Sequence, residues 1–152
     1  GKRLIKSPKV YLADSGLACH LLGIDTAAEL AKSPFLGTLF EGFIASEIVK
    51  AQANAGGRRE LYYFRDQQGL EVDFLMPRRG GSMVLVECKA TRTVTPSMTV
   101  ALRQLGAAMT GKRGRASVEM LLVHQSPNAG TSTQAVAPGV RALAWQRFVA
   151  EL

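Results

Sequence analysis

Apolar and polar positions alternate most clearly over two neighbouring runs, Glu71-Val72-Asp73-Phe74-Leu75-Met76-Pro77 and Met83-Val84-Leu85-Val86-Glu87-Cys88-Lys89. Between them lies the basic, glycine-containing turn Arg78-Arg79-Gly80-Gly81. Two β-rich runs around such a turn predict a β-hairpin. Upstream, Leu39, Phe40, Phe43, Ile44, Ile48 and Val49 recur at helical spacing, which predicts a helix over residues 38–53. Thr38 and Glu41 have the spacing of a capping box at its start, and Asn54-Ala55-Gly56-Gly57 ends it. Before that helix the pattern gives a short strand at 10–13, a short helix at 17–22 closed by Gly23, and a second short helix through Ala31 capped by Asp25 or Thr26. After it come an aromatic strand at 61–64, the hairpin, a helix at 97–109 and a strongly apolar strand at 117–124. Residues 126–138 are rich in Ser, Thr, Gly, Ala and Pro and read as irregular, and a short helix with Trp145 and Phe148 closes the chain over 144–152.

From residue 38 the order is therefore helix, strand, strand, strand, helix, strand. Three strands joined by short turns must be largely antiparallel, and a fourth that arrives after a helical crossover can lie parallel to one of them. The expected class is α/β with a mixed, mostly antiparallel sheet. Three stretches follow: a lead-in at 1–37, the core at 38–125, and an irregular segment with a short helix at 126–152. The chain opens on Gly1 without Met and runs directly into a basic, apolar segment, which reads as the start of a piece of a longer protein.

Composition adds bounds rather than direction. The 152 residues, 47% hydrophobic and 20% charged, suit one globular domain. No run approaches the roughly 18 apolar residues of a membrane span, and no secretory leader is legible. Cys19 and Cys88 are too far apart in sequence and too few for a disulfide framework or a metal knuckle. They read as two buried free thiols in a reducing, cytoplasmic compartment. The net charge of +7 comes wholly from the second half: residues 77–152 carry ten Lys/Arg against three Asp/Glu, while residues 1–76 carry nine of each. Such a half suits a polyanionic partner such as DNA.

Chemistry enters with the acids placed inside the apolar runs. In a strand alternate side chains share a face, so Glu87 and Lys89 point one way and Val86 and Cys88 the other. Asp73 is expected on the Glu87/Lys89 side. A hard cation such as Mg2+ or Mn2+ takes oxygen ligands, usually one or two carboxylates with waters and substrate phosphate. Asp73 and Glu87 are the candidate ligands, the Cys88 backbone carbonyl a third, and Glu41 an auxiliary acid from the helix. Lys89 beside them is the candidate base or water orienter for phosphodiester hydrolysis. Glu71 shares a strand face with Asp73 and reads as an accessory acid or a partner for Lys89, with an ordinary surface ion pair as the plain alternative. Arg78, Arg79, Arg92, Lys112, Arg113 and Arg115 are candidates for phosphate contacts without sequence specificity. Gln104 and Glu47 read as surface residues, Arg65 and Asp66 as turn-fixing, and His20 and His124 as structural.

This arrangement resembles the PD-(D/E)XK nuclease superfamily, with Asp73 as the first acid, Glu87-Cys88-Lys89 as the (D/E)-x-K, and Glu41 as the glutamate many members carry on the first core helix. Val72 stands where the proline of the family's name would be. A closer resemblance rests on Ser7-Pro8-Lys9-Val10-Tyr11-Leu12-Ala13-Asp14-Ser15-Gly16-Leu17, Gly37-Thr38-Leu39-Phe40-Glu41-Gly42-Phe43-Ile44, Tyr62-Tyr63-Phe64-Arg65-Asp66 and Glu71-Val72-Asp73-Phe74. These phrases are similar to the C-terminal domain of unknown function in many bacterial and archaeal AAA-type ATPases. The resemblance implies a restriction-endonuclease-like core, a metal-dependent nuclease acting on DNA, and ATP bound only in a preceding domain, since the chain has no G-x-x-x-x-G-K-[ST]. Its alternatives are a catalytically inactive module that binds nucleic acid or protein for the ATPase, and a domain that brings copies of the parent ATPase together as a homo-oligomer.

Overall fold

The structure, a computed structural model, describes residues 7–110, 117–126 and 134–152. Five helices and six strands appear in the order α1 (Ser15–Leu21), α2 (Ala27–Lys32), α3 (Leu36–Asn54), β1 (Tyr62–Arg65), β2 (Glu71–Pro77), β3 (Met83–Lys89), α4 (Val100–Thr110), β4 (Val118–His124), β5 (Gln134–Ala137), β6 (Val140–Ala144) and α5 (Trp145–Ala150). The strands form one sheet in the order β1-β2-β3-β4-β6-β5. β1, β2 and β3 pair antiparallel, β3 with β4 and β4 with β6 pair parallel, and β5 with β6 is antiparallel. The protein is thus α/β with a mixed sheet.

Two hydrophobic cores lie on the two faces. Phe40, Ile44 and Ile48 of α3, spaced by four, pack on Phe74, Met76, Val84, Val86 and Val123, with Phe148 of α5 completing that side. Leu102 and Leu105 of α4 pack on Val72, Leu85, Leu122, Val140 and Ala142 on the other. α4 links β3 to β4, the crossover that parallel neighbours require.

Four features depart from the sequence pattern. Residues 10–13 form no strand: the segment before α1 is tied down by side chains instead, Tyr63 donating to the Ser7 carbonyl and Ser46 Oγ to the Ala13 carbonyl at 2.7 Å. α3 starts three residues earlier than the box Thr38/Glu41 implies, with Phe35 at its N-cap and no capping side chain, so Glu41 is free for other partners. The stretch read as irregular contains β5, and β6 follows it beside β4. Both strands exist because tertiary pairing overrides weak local preference. The Pro138-Gly139 turn joins them: proline presets one φ, and Gly139 adopts φ 76°, which side-chain-bearing residues avoid.

The fourth departure matters most. Val72 packs on the α4 side and Phe74 and Met76 on the α3 side, although residues two apart share a face in a regular strand. The β1–β2 register breaks at the same place, Tyr62 facing Leu75 while Phe64 faces Val72. β2 is therefore irregular around Asp73, the kind of local bend that re-aims a side chain.

Candidate metal centre

The β2–β3 ladder runs from Pro77↔Met83 back to Phe74↔Val86. One step further, the Cys88 amide donates to Asp73 Oδ2 at 2.8 Å, so a carboxylate takes a hydrogen bond where the ladder would next require a backbone carbonyl. The N–H and C=O of one extended residue point to the same strand edge, which puts the Cys88 carbonyl on the Asp73 side as well. Lys89 Nζ donates to Glu87 Oε1 at 2.7 Å. Glu87 is only 7% exposed, and among the described residues its Oε2 is buried without a hydrogen-bond partner. From α3, Glu41 Oε1 accepts from Lys9 Nζ at 2.9 Å and from the Tyr11 hydroxyl. Lys9 also pairs with Glu71 at 2.6 Å and stands 3.7 Å from Asp73 Oδ1.

The structure thus gathers Asp73, Glu87, Lys89, Glu41 and the Cys88 backbone, and adds Lys9, Tyr11 and Glu71. Glu71 is not the partner of Lys89; it pairs with Lys9, with Arg65 Nε 3.7 Å away. Lys9 and Tyr11 escaped the sequence reading because their run was taken for a plain strand. Their signal was nonetheless present: they alternate with Val10 and Leu12, and the apolar pair is the exposed one, at 88% and 52%.

Electrostatics follow from burial. Burial, then the neighbouring Glu87 charge, pushes the Asp73 carboxyl up to about 7, against the opposing pull of the Cys88 amide. Burial also raises Glu87, and the Lys89 hydrogen bond holds it back. Burial works against the Lys9 charge, yet its bonds to Glu71 and Glu41 lift its pKa above the ordinary lysine range. The Cys88 thiol is buried and raised for the same first reason, which makes it an inert core residue.

A carboxyl raised in the folded state binds its proton more tightly than in the unfolded chain, so its favourable contribution is full at low pH and is lost as pH rises. For Asp73 the loss falls between the unfolded value near 4 and the folded value of about 7. Asp73→Asn keeps an acceptor for the Cys88 amide and abolishes the titration. Its melting temperature relative to wild type is expected to climb through that window; a pH-independent difference in a series of thermal melts would refute this.

Of the basic candidates, Arg92 is exposed and follows β3 at the Lys89 end. Arg78 and Arg79 sit at the hairpin turn, the opposite end of β2 from Asp73, about 15 Å away at roughly 3.3 Å per residue. Lys112, Arg113 and Arg115 lie outside the described residues. Gln104 is exposed on α4, Glu47 pairs with Lys50 at 2.9 Å, and Asp66 accepts from the Gln68 and Leu70 amides to fix its turn. Among the described residues no three His, Cys, Asp or Glu form a ready metal cage, and no helix is long and apolar enough to cross a membrane.

Residues 36–136 match the family described as Domain of unknown function (DUF4143). The chain belongs to this family. The DUF4143 match contains α3 through β5 and therefore every acid of the site, whereas Lys9 and Tyr11 precede it. Two curated relatives, the uncharacterized proteins Mb2031c of Mycobacterium bovis and Rv2008c of Mycobacterium tuberculosis, are each 40% identical over 103 residues. The match covers 68% of this chain, which spans only 22% of the length of either relative. No solved structure matches the chain significantly.

Proposed function

We propose that this DUF4143 domain is a divalent-cation-dependent phosphodiesterase acting on DNA, built on a restriction-endonuclease-like core and belonging to an AAA-type ATPase. The observation that carries the reading is the buried, unpartnered Glu87 Oε2 beside an Asp73 that burial and Glu87 itself push up to about 7. Glu87 and Asp73, largely withdrawn from water beside Glu41 and Glu71, are only partly offset by Lys89 and Lys9, and such a carboxylate cluster is costly unless a further cation joins it. A small hard cation keeps several waters and takes only one or two carboxylates from the protein, so it does not require a full cage. The helix-strand-strand-strand-helix-strand order supports the nuclease-like core, and the much longer relatives fit a domain that is part of a larger protein.

Asp73 and Glu87 would hold Mg2+ or Mn2+, with the Cys88 carbonyl available as a third oxygen and Glu41 as an auxiliary acid. The cation would supply charge stabilisation at a scissile phosphate. Lys89, anchored on Glu87, directs its ammonium to the same place and would orient the attacking water or steady the developing negative charge. Of the six basic candidates, Arg92, exposed just beyond the Lys89 end of β3, would be the one to meet flanking backbone phosphates.

Calorimetric titration of wild type and Asp73→Ala with Mn2+ tests the reading. Binding by wild type that disappears in Asp73→Ala is expected, followed by Mn2+-dependent cleavage of single- or double-stranded DNA. Salt-sensitive DNA binding without cleavage, and without Mn2+ binding, would instead favour the inactive binding module.

A further inference from the structure

Lys9 has no place in the chemistry assigned above, yet its ammonium lies within 4 Å of three of the site's acids: 2.6 Å from Glu71, 2.9 Å from Glu41 and 3.7 Å from Asp73. We infer that Lys9 is the resident cation of this site: its ammonium holds Glu41, Glu71 and Asp73 in place of a divalent ion, and must withdraw for that ion to bind fully. The inference rests on the metal-dependent reading of the same carboxylates.

Charge explains why a cation stays there. Glu41, Glu71, Asp73 and Glu87 are four carboxylates, and among the described residues the cations that reach them are Lys9, Lys89 and, at 3.7 Å from Glu71, the exposed Arg65. Without Lys9, three acids from two different elements would face one another across a part-buried gap. A lysine supplies a compact point charge with three donors and is well suited to bridge them. It cannot supply two charges, and it leaves Glu87 Oε2 unpartnered. A divalent ion that also reached Glu87 would satisfy both deficits.

The way Lys9 is mounted lets it leave. It sits on a segment with no strand pairing, whose neighbours Val10 and Leu12 are exposed. Named side chains pin that segment: Tyr63 at Ser7, Ser46 at Ala13, and the Tyr11 hydroxyl at Glu41. The Tyr11 ring edge meets Phe74 with centroids 6.1 Å apart, and its side chain lies against Gly42, where an added Cβ would come within 3.4 Å. The Lys9 ammonium also lies over the Tyr63 ring, 5.2 Å from its centroid, a contact that helps to hold it beside the acids. A rotamer change at Lys9 breaks none of the pins, and no sheet hydrogen bond depends on it.

The test is Mn2+ titration by calorimetry of wild type, Lys9→Met, Lys9→Arg and the double variant Lys9→Met/Asp73→Asn. Removing a competing charge some 4 Å away is expected to tighten Mn2+ binding of Lys9→Met by roughly 10- to 100-fold. Lys9→Arg, which keeps the charge, should stay near wild type, and the double variant should lose the gain. Binding by Lys9→Met that equals or falls below that of wild type overturns the role of Lys9 while leaving the metal site standing. Binding by neither protein overturns the metal reading and this inference with it. Should Lys9→Met fail to fold, the wild-type chain gives a second measurement. Mn2+ is expected to speed amine-reactive labelling of Lys9, read by mass spectrometry, and unchanged or slower labelling contradicts the exchange.

Discussion

Lys89→Ala is expected to lower Mn2+-dependent DNA cleavage by roughly 10²- to 10³-fold, the size of effect that loss of one positioned donor to a developing negative charge has. The substitution removes the ammonium that Glu87 Oε1 accepts from, 2.7 Å away, and so leaves both oxygens of a buried carboxylate without a partner. Part of the loss would then come from a displaced Glu87, which makes Lys89→Arg the informative companion. Arginine keeps the positive charge and the pairing with Glu87, but it stays protonated and has a different reach. If Lys89 acts in proton transfer, Lys89→Arg falls nearly as far as Lys89→Ala in single-turnover assays, while its melting temperature stays close to wild type. Cleavage at the wild-type rate by Lys89→Ala would remove the catalytic assignment altogether.

Phe74→Ala is expected to carry the largest stability loss, about 3–5 kcal/mol. Phe74 is 2% exposed and sits among the α3-side core residues Ile44, Ile48, Met76 and Val86. It also receives the edge of the Tyr11 ring. Against the roughly 5–15 kcal/mol that holds a typical domain together, such a loss takes a third or more of the total. Equilibrium urea unfolding should show the midpoint falling with little change in slope. Val10→Ala, at a position 88% exposed, should shift the midpoint hardly at all. A loss under about 1 kcal/mol for Phe74→Ala would mean that the α3-side core closes over the gap.

The hairpin was legible because its two strands alternate cleanly and its turn is punctuated by glycine, and β3 occupies the predicted residues. The shared face of Glu87 and Lys89 followed from the same alternation, whereas of the two thiols expected to be buried Cys88 is and Cys19, on the short α1, is only half-buried. β6 was not legible: Val-Arg-Ala-Leu-Ala carries little strand preference of its own and becomes a buried strand only because β4 offers it an edge. The capping box at Thr38 and Glu41 fails for the opposite reason. The spacing of Glu41 from Thr38 satisfies a local rule, but α3 begins at Leu36 and the glutamate turns to Lys9 and Tyr11, 32 and 30 residues upstream. The site's acids were found because acids in an apolar strand are conspicuous. Lys9, unlike Lys89, was missed because a lysine among the basic residues of the first ten positions is not conspicuous.

The irregularity of β2 has a consequence for how the protein tolerates change. With Val72 anchored on the α4 side and Phe74 on the α3 side, Asp73 is held between two cores that are otherwise separated by the sheet. A cavity made in either layer therefore has a route to the same carboxylate. On the proposed function the Asp73 site becomes a gauge of packing on both faces, and substitutions well away from the acids, such as Leu102→Ala under α4, are expected to weaken Mn2+ binding before the chain unfolds.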